Sequence, residues 1–152
     1  MFVTLMVAVS LPTGALVVGA AATWAMVGVI WIVQLLQYPM LAQHSAMAPG
    51  AAAQEHQRRI SYVVGPLMAV ELVTAAVLLF DRPDSVGAIG VWLAAALLAA
   101  ALLSTAMVQV PLHRRLAEGH DDEAARRLIS SNWFRTAAWT ARGVVLAVLL
   151  LG

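Results

Sequence analysis

At 152 residues the chain has room for one domain, and at 62% hydrophobic and 11% charged it departs far from the roughly 45–50% and about 25% of soluble domains. A soluble fold of this size leaves roughly a third of its surface in water, so this composition excludes a soluble enzyme. A net charge of +1 with no long basic run excludes a disordered or nucleic-acid-binding chain. There is no cysteine, hence no disulfide, thiolate metal site or thiol redox chemistry. All nine basic residues are arginine, which removes lysine Schiff-base chemistry as well.

In chain order, residues 1–11 are apolar but lack a basic leader and a cleavage site. Pro12-Thr13-Gly14 separates them from the first span, so they read as an outer lead-in rather than a removed signal peptide. That span covers about 13–39, free of charge and long enough for a bilayer core that takes about 20 helical residues. Tyr38 before Pro39 marks its expected end, because the residue before proline is pushed out of helical geometry. The second span, about 61–80, is interrupted only by Glu71 and stops at Asp81-Arg82-Pro83-Asp84. Ala51 to Gln57 after Gly50 are good helix formers that extend it outward. The third and fourth spans cover about 86–111 and 133–151. Both are expected to continue beyond the lipid, meeting near Gly119, with Arg114 and Arg115 before it and Asp121, Asp122 and Glu123 after it.

Arginine placement orients the spans. The first and third loops hold six arginines and the second holds only Arg82. That puts those two loops in the cytoplasm and both termini outside. The expected fold is a single all-α domain over 1–152, an antiparallel four-helix bundle in a bacterial inner membrane, with helices two to four extending on the cytoplasmic side.

Tight turns fix relative depth. Counting back from the turn at Asp81–Asp84 sets Glu71 level with Ala96. Counting from Gly119 sets Leu97 level with Arg142, so Glu71 and Arg142 share a level near mid-membrane. A lone charge there costs at least about 2.5–3.5 kcal/mol on insertion scales, so the two are expected to pair, either as a lock between helices or as a proton-handling or substrate-anchoring pair. Asn132, Arg135, Trp139 and Arg142 recur at spacings of three and four, one face of helix four. Thr105, Gln109 and His113 do the same on helix three. Trp24, Trp31 and Tyr38 repeat every seven residues on helix one, with Gln34 on that stripe. Polar groups facing lipid leave hydrogen bonds unmade. These stripes should therefore turn inward and line a polar lumen in the cytoplasmic half, where Pro66 and Pro111 each free a backbone carbonyl.

His56 and His113 fall within about one helical turn in depth at the cytoplasmic mouth. Neighbouring imidazoles suit a transition metal or a haem with two axial histidines; the alternative is that they only meet headgroups, loop carboxylates or water. Fifteen residues of helix, on the order of 22 Å, separate His56 from Glu71, so the two sets form no single cluster. No Glu-x-x-His pair of a di-iron bundle occurs.

The blocks Trp31 to Pro39, His56-Gln57-Arg58-Arg59, Pro66 with Glu71, Gln109 to His113, and Asn132 to Thr136 with Trp139 to Arg142 resemble a group of small bacterial four-span proteins, similar in outline to the anthrone-oxygenase-like membrane family. The resemblance covers about residues 20–150. Relatives often carry His-Tyr-Pro where this chain has Gln37-Tyr38-Pro39. It implies a membrane bundle with an inward polar constellation, and through distant relatives an oxidoreductase or oxygenase.

The expected function is therefore an inward-facing site for a small apolar ligand such as a quinone, a metal or a redox cofactor. Glu71, Arg135 and Arg142 are the candidate catalytic residues, and His56 and His113 would ligate a metal or exchange protons. Trp31, Gln34, Tyr38, Gln109, Asn132 and Trp139 would hold the ligand, the aromatics by stacking and Asn132 with Arg135 at its polar edge. The rivals are a non-catalytic subunit of a larger membrane complex or a homo-oligomer, and a proton or ion pathway through Glu71 and Arg142.

Overall fold

A computed structural model describes residues 10–40, 51–119 and 121–152, with backbone alone at 51–53. The apolar lead-in over 1–9, residues 41–50 with His44 and Gly50, and His120 lie outside the described residues. All regular structure among the described residues is helical. Four helices are long and apolar enough to cross a membrane: α1 (Leu11–Met40), α2 (Ala51–Phe80), α3 (Ala88–Glu118) and α4 (Asp122–Leu151).

The helix starts are where the chemistry puts them. Ser10 caps α1 by accepting from the Thr13 amide at 3.4 Å, and Pro12 lies in the first turn. Proline there needs no hydrogen bond, so Pro12-Thr13-Gly14 opens the helix instead of breaking it. Asp121 caps α4 by accepting from the Ala124 amide at 2.8 Å, and Asp122 and Glu123 complement the helix dipole.

The expected stop at Tyr38 does not occur. α1 runs through Pro39 to Met40 because Val33–Gln37 form a π-helical turn, closed by the Tyr38 amide donating to the Val33 carbonyl. α3 repeats the device: Thr105–Gln109 form a second π turn, closed by the Val110 amide on the Thr105 carbonyl, immediately before Pro111. A proline inside a helix clashes with the carbonyl one turn back and leaves it without a donor. A locally widened turn relieves both, and such turns recur at functional sites. Pro66 is carried within α2.

α1 packs on α2 and on α4, and α4 packs on α3. Three apolar clusters stack along the bundle: one around Leu16, Leu78, Val91 and Leu146; a middle one around Met26, Ile30, Ala101 and Trp139; and one around Val33, Tyr38, Leu112 and Leu128. At Gly19 a Cβ would lie 2.8 Å from the Thr74 hydroxyl oxygen, so α1 and α2 touch nearly backbone to side chain, as small residues allow in membrane bundles. Large apolar side chains point outward, among them Tyr62, Leu72, Val73, Trp92 and Met107.

Candidate binding site

Two buried arginines organise the interior, one in the middle and one toward the π turns. In the middle, Glu71 is fully buried and both its carboxylate oxygens are occupied. Thr23 donates to Oε1 at 2.7 Å, Trp139 Nε1 donates to Oε2 at 3.1 Å, and Arg142 Nε lies 3.4 Å from Oε1. Arg142 also donates to Thr23 Oγ1 at 3.1 Å and to the Ala94 carbonyl at 2.6 Å. One knot thus ties all four helices, with each formal charge matched and hydrogen-bonded. Fixed donors on every face suit Glu71 for holding the helices together.

Nearer the π turns a second network begins on α1. The Gln34 side chain donates to the Ile129 carbonyl at 3.3 Å and accepts from Asn132 Nδ2 at 2.8 Å. Asn132 Oδ1 in turn accepts from Arg135 Nη1 at 2.9 Å. The Arg135 guanidinium carbon sits 5.1 Å from the Trp139 ring centre, within cation–π range. The ladder Gln34–Asn132 thus aims Arg135, which is 6% exposed. No ion pair joins Arg135 to any acid among the described residues, which include all eight aspartates and glutamates of the chain.

Arg135 lines a cavity of about 230 Å³ together with Tyr38, His56, Thr105, Gln109 and His113, against an apolar wall that includes Val29, Ile30, Val33, Val64 and Met68. Its exposed lining residues are Ser61 and Gly65 on α2 and Val110 on α3, so the mouth lies between those two helices. The Tyr38 hydroxyl is 3.1 Å from His113 Nε2. Either atom of that pair can donate, depending on the imidazole tautomer.

Four buried side-chain polar atoms have no partner among the described residues: Gln37 Oε1, Gln109 Oε1, His113 Nδ1 and Arg135 Nε. Three of the four belong to side chains lining this one cavity. Buried polar atoms are normally paired, so their concentration here is the strongest mark of a site in the molecule.

Of the residues singled out in the sequence, Tyr38, His56, Gln109, His113 and Arg135 meet at the cavity. Gln34 and Asn132 stand behind Arg135 and do not line it, and Glu71, Arg142 and Trp139 form the separate central knot. Trp31 is not at the site. It is 38% exposed, donates to Thr140 Oγ1 at 3.2 Å and packs edge-on against Trp133, with ring centres 5.7 Å apart. Trp24 likewise faces outward. The reason is the π turn between Trp31 and Tyr38: one extra residue in the turn rotates the rest of the helix by about 100° relative to an uninterrupted one, so a seven-residue repeat no longer stays on one face. Tyr38, at 3% exposure, turns inward. Thr23 escapes a reading by spacing because no tight turn follows α1 in the sequence to give it a hairpin register. The apolar wall carries no chemical signature that a sequence could reveal.

The His56 and His113 rings lie face to face, 6.0 Å between centres and 29° between planes, with Tyr38 edge-on to both. Two axial haem ligands must instead aim their nitrogens at each other across the iron. His113 Nε2 is already engaged by Tyr38, and no cluster of three or more histidine or acidic residues suited to a metal occurs among the described residues. The arrangement fits holding and orienting an organic group better than closing a metal shell. No family model, curated protein or solved structure matches the chain.

Proposed function

We propose that this chain is a multi-pass protein of a bacterial inner membrane whose cavity binds a small, mostly apolar ligand by one polar end. Support for an antiparallel bundle comes from the short connections at 81–87 and 119–121, which leave successive helices little choice but to reverse. Support for termini outside comes from the arginines at 58, 59, 114, 115, 126 and 127, which lie toward the cavity end of the chain's hairpins. The chain has no cysteine, so single-cysteine reporters are clean. Asp84→Cys should react with an impermeant maleimide on intact spheroplasts, and Glu118→Cys only after permeabilisation; the opposite pattern inverts the topology.

The observation that carries ligand binding is the set of three unpartnered atoms, Gln109 Oε1, His113 Nδ1 and Arg135 Nε, on side chains around one cavity. Its mouth between α2 and α3 opens toward the bilayer, so a ligand dissolved in lipid enters sideways. The Tyr38–His113 pair would then hold a proton at the bound ligand's polar end, the one feature that favours an oxidoreductase or oxygenase of the kind the resemblance implies. Native mass spectrometry of protein released from nanodiscs tests this reading. Wild type should retain one small molecule per chain, and Thr105→Trp, which fills the cavity, should lose it. Equal retention by both, or by neither, rejects the cavity as a binding site.

A second reading, an accessory subunit of a larger complex or a homo-oligomer, is favoured by the broad apolar faces of α2 and α3. Migration as a lone monomer in native membranes dissolved mildly removes it. A proton or ion pathway through Glu71 has less support, since both carboxylate oxygens are held by fixed donors.

A further inference from the structure

We infer that the ligand of this cavity is a monoanion, an apolar body ending in a carboxylate; the inference rests on the cavity being a binding site. The charges in the bundle interior do not balance. Glu71 and Arg142 cancel each other at 3.4 Å. Arg135 is left over, 6% exposed and without an acidic partner among the described residues. Asp122, at the start of α4, is thirteen positions away along the helix, on the order of 20 Å. Water drawn into the cavity could satisfy hydrogen bonds there, but it could not neutralise a guanidinium. An anion does both.

The unpartnered atoms refine the class. Arg135 Nε is a donor, and His113 Nδ1 is a donor in the tautomer whose Nε2 accepts from Tyr38. Arg135 lines the cavity, and guanidinium is the side chain whose geometry suits the two oxygens of a carboxylate. Gln109 gives its amide N–H to the Ser131 hydroxyl at 2.8 Å and keeps a buried, unpartnered carbonyl. That carbonyl calls for a single donor, a hydroxyl on the ligand or one water. The remaining wall is aliphatic, and the mouth faces lipid between Ser61, Gly65 and Val110. A short body fits within about 230 Å³, and a longer one would continue through the mouth among the acyl chains.

The test compares acid with neutral analogue in nanodiscs, correcting for partition into empty discs. The probes are decanoate, its methyl ester and decanol for an aliphatic body, and 1-naphthoate with its methyl ester for an aromatic one. In wild type at least one acid should bind tenfold or more tightly than its ester; which acid does so distinguishes an aliphatic from an aromatic source. Arg135→Gln should erase that preference. Should Arg135→Gln fail to fold, the wild-type acid–ester ratio stands alone as the readout. The 13C resonance of carboxyl-labelled decanoate, shifted by wild type and unshifted by Thr105→Trp, would locate the head. Equal affinity for acid, ester and alcohol overturns the anion inference yet leaves a binding cavity. No binding of any probe, with no small molecule retained from the cell, overturns the cavity reading itself.

Discussion

Arg142 and Arg135 are two helical turns apart on the same face of α4, and the protein treats them in opposite ways. Arg142 has a carboxylate, a hydroxyl and a backbone carbonyl around it, contributed by three other helices. Arg135 has one amide oxygen, an aromatic face and a nitrogen with no partner. Equal chemistry at nearly equal burial therefore does two jobs. Where the surroundings complete the cation, it joins helices; where they leave it incomplete beside a cavity, it has capacity left for something else.

The largest effect that would sharpen this contrast is expected at Glu71. Glu71→Ala strands the buried Arg142 and the Trp139 N–H, and should cost about 3–5 kcal/mol in reversible unfolding from mixed micelles. Combining Glu71→Leu with Arg142→Met should recover most of that loss, because an apolar pair removes both charges together. A single-variant cost below about 1 kcal/mol would erase the distinction between the arginines. Tyr38→Phe removes the hydroxyl from His113 Nε2 and should cost about 1–2 kcal/mol in the same assay.

Arg135→Leu is expected to stay within about 1 kcal/mol of wild type, since the loss of Asn132's partner is offset by removal of an uncompensated charge. A cost as large as that of Glu71→Ala would mean that Arg135 is structural after all.

The smallest effect lies outside both regions, at the cap of α4. The Ala124 amide at 2.8 Å, and then Arg115 at 2.6 Å, hold the Asp121 carboxyl below its ordinary value. A carboxyl whose folded pKa is depressed stabilises fully above its unfolded value of about 3.9 and loses that contribution as pH falls through the folded value. Thermal scans should show a slight decline below about pH 4 that Asp121→Asn removes.

The membrane character and four apolar helices were legible because composition and unbroken hydrophobic runs report directly on the solvent. The meeting of Glu71 with Arg142 was legible for a different reason: short turns convert sequence distance into depth, and opposite charges at one depth in a poor solvent find each other. A polar lumen near Tyr38, Gln109, His113 and Arg135 was expected too; what backbone geometry hid was the outward turn of Trp31. Trp31 and Tyr38 share a face on any uninterrupted helix, and only a widened turn separates them. The cue was present in Gln37-Tyr38-Pro39 and Gln109-Val110-Pro111, two prolines each preceded by a π turn, but proline more often announces a stop. The roles of His56 and His113 were harder still, because ring orientation, not level, decides between ligating an ion and stacking, and no residue spacing carries it.

The central knot also bears on how the chain is made. Ribosomes deliver Glu71 about 70 residues before Arg142, on the order of 4–14 s at 5–20 residues per second. During that interval an acid has entered the bilayer with no cation to meet it. Thr23 is already there, and its hydroxyl can take one carboxylate oxygen while the second helix waits. The last helix then completes the assembly, because only Arg142 supplies the charge that answers Glu71.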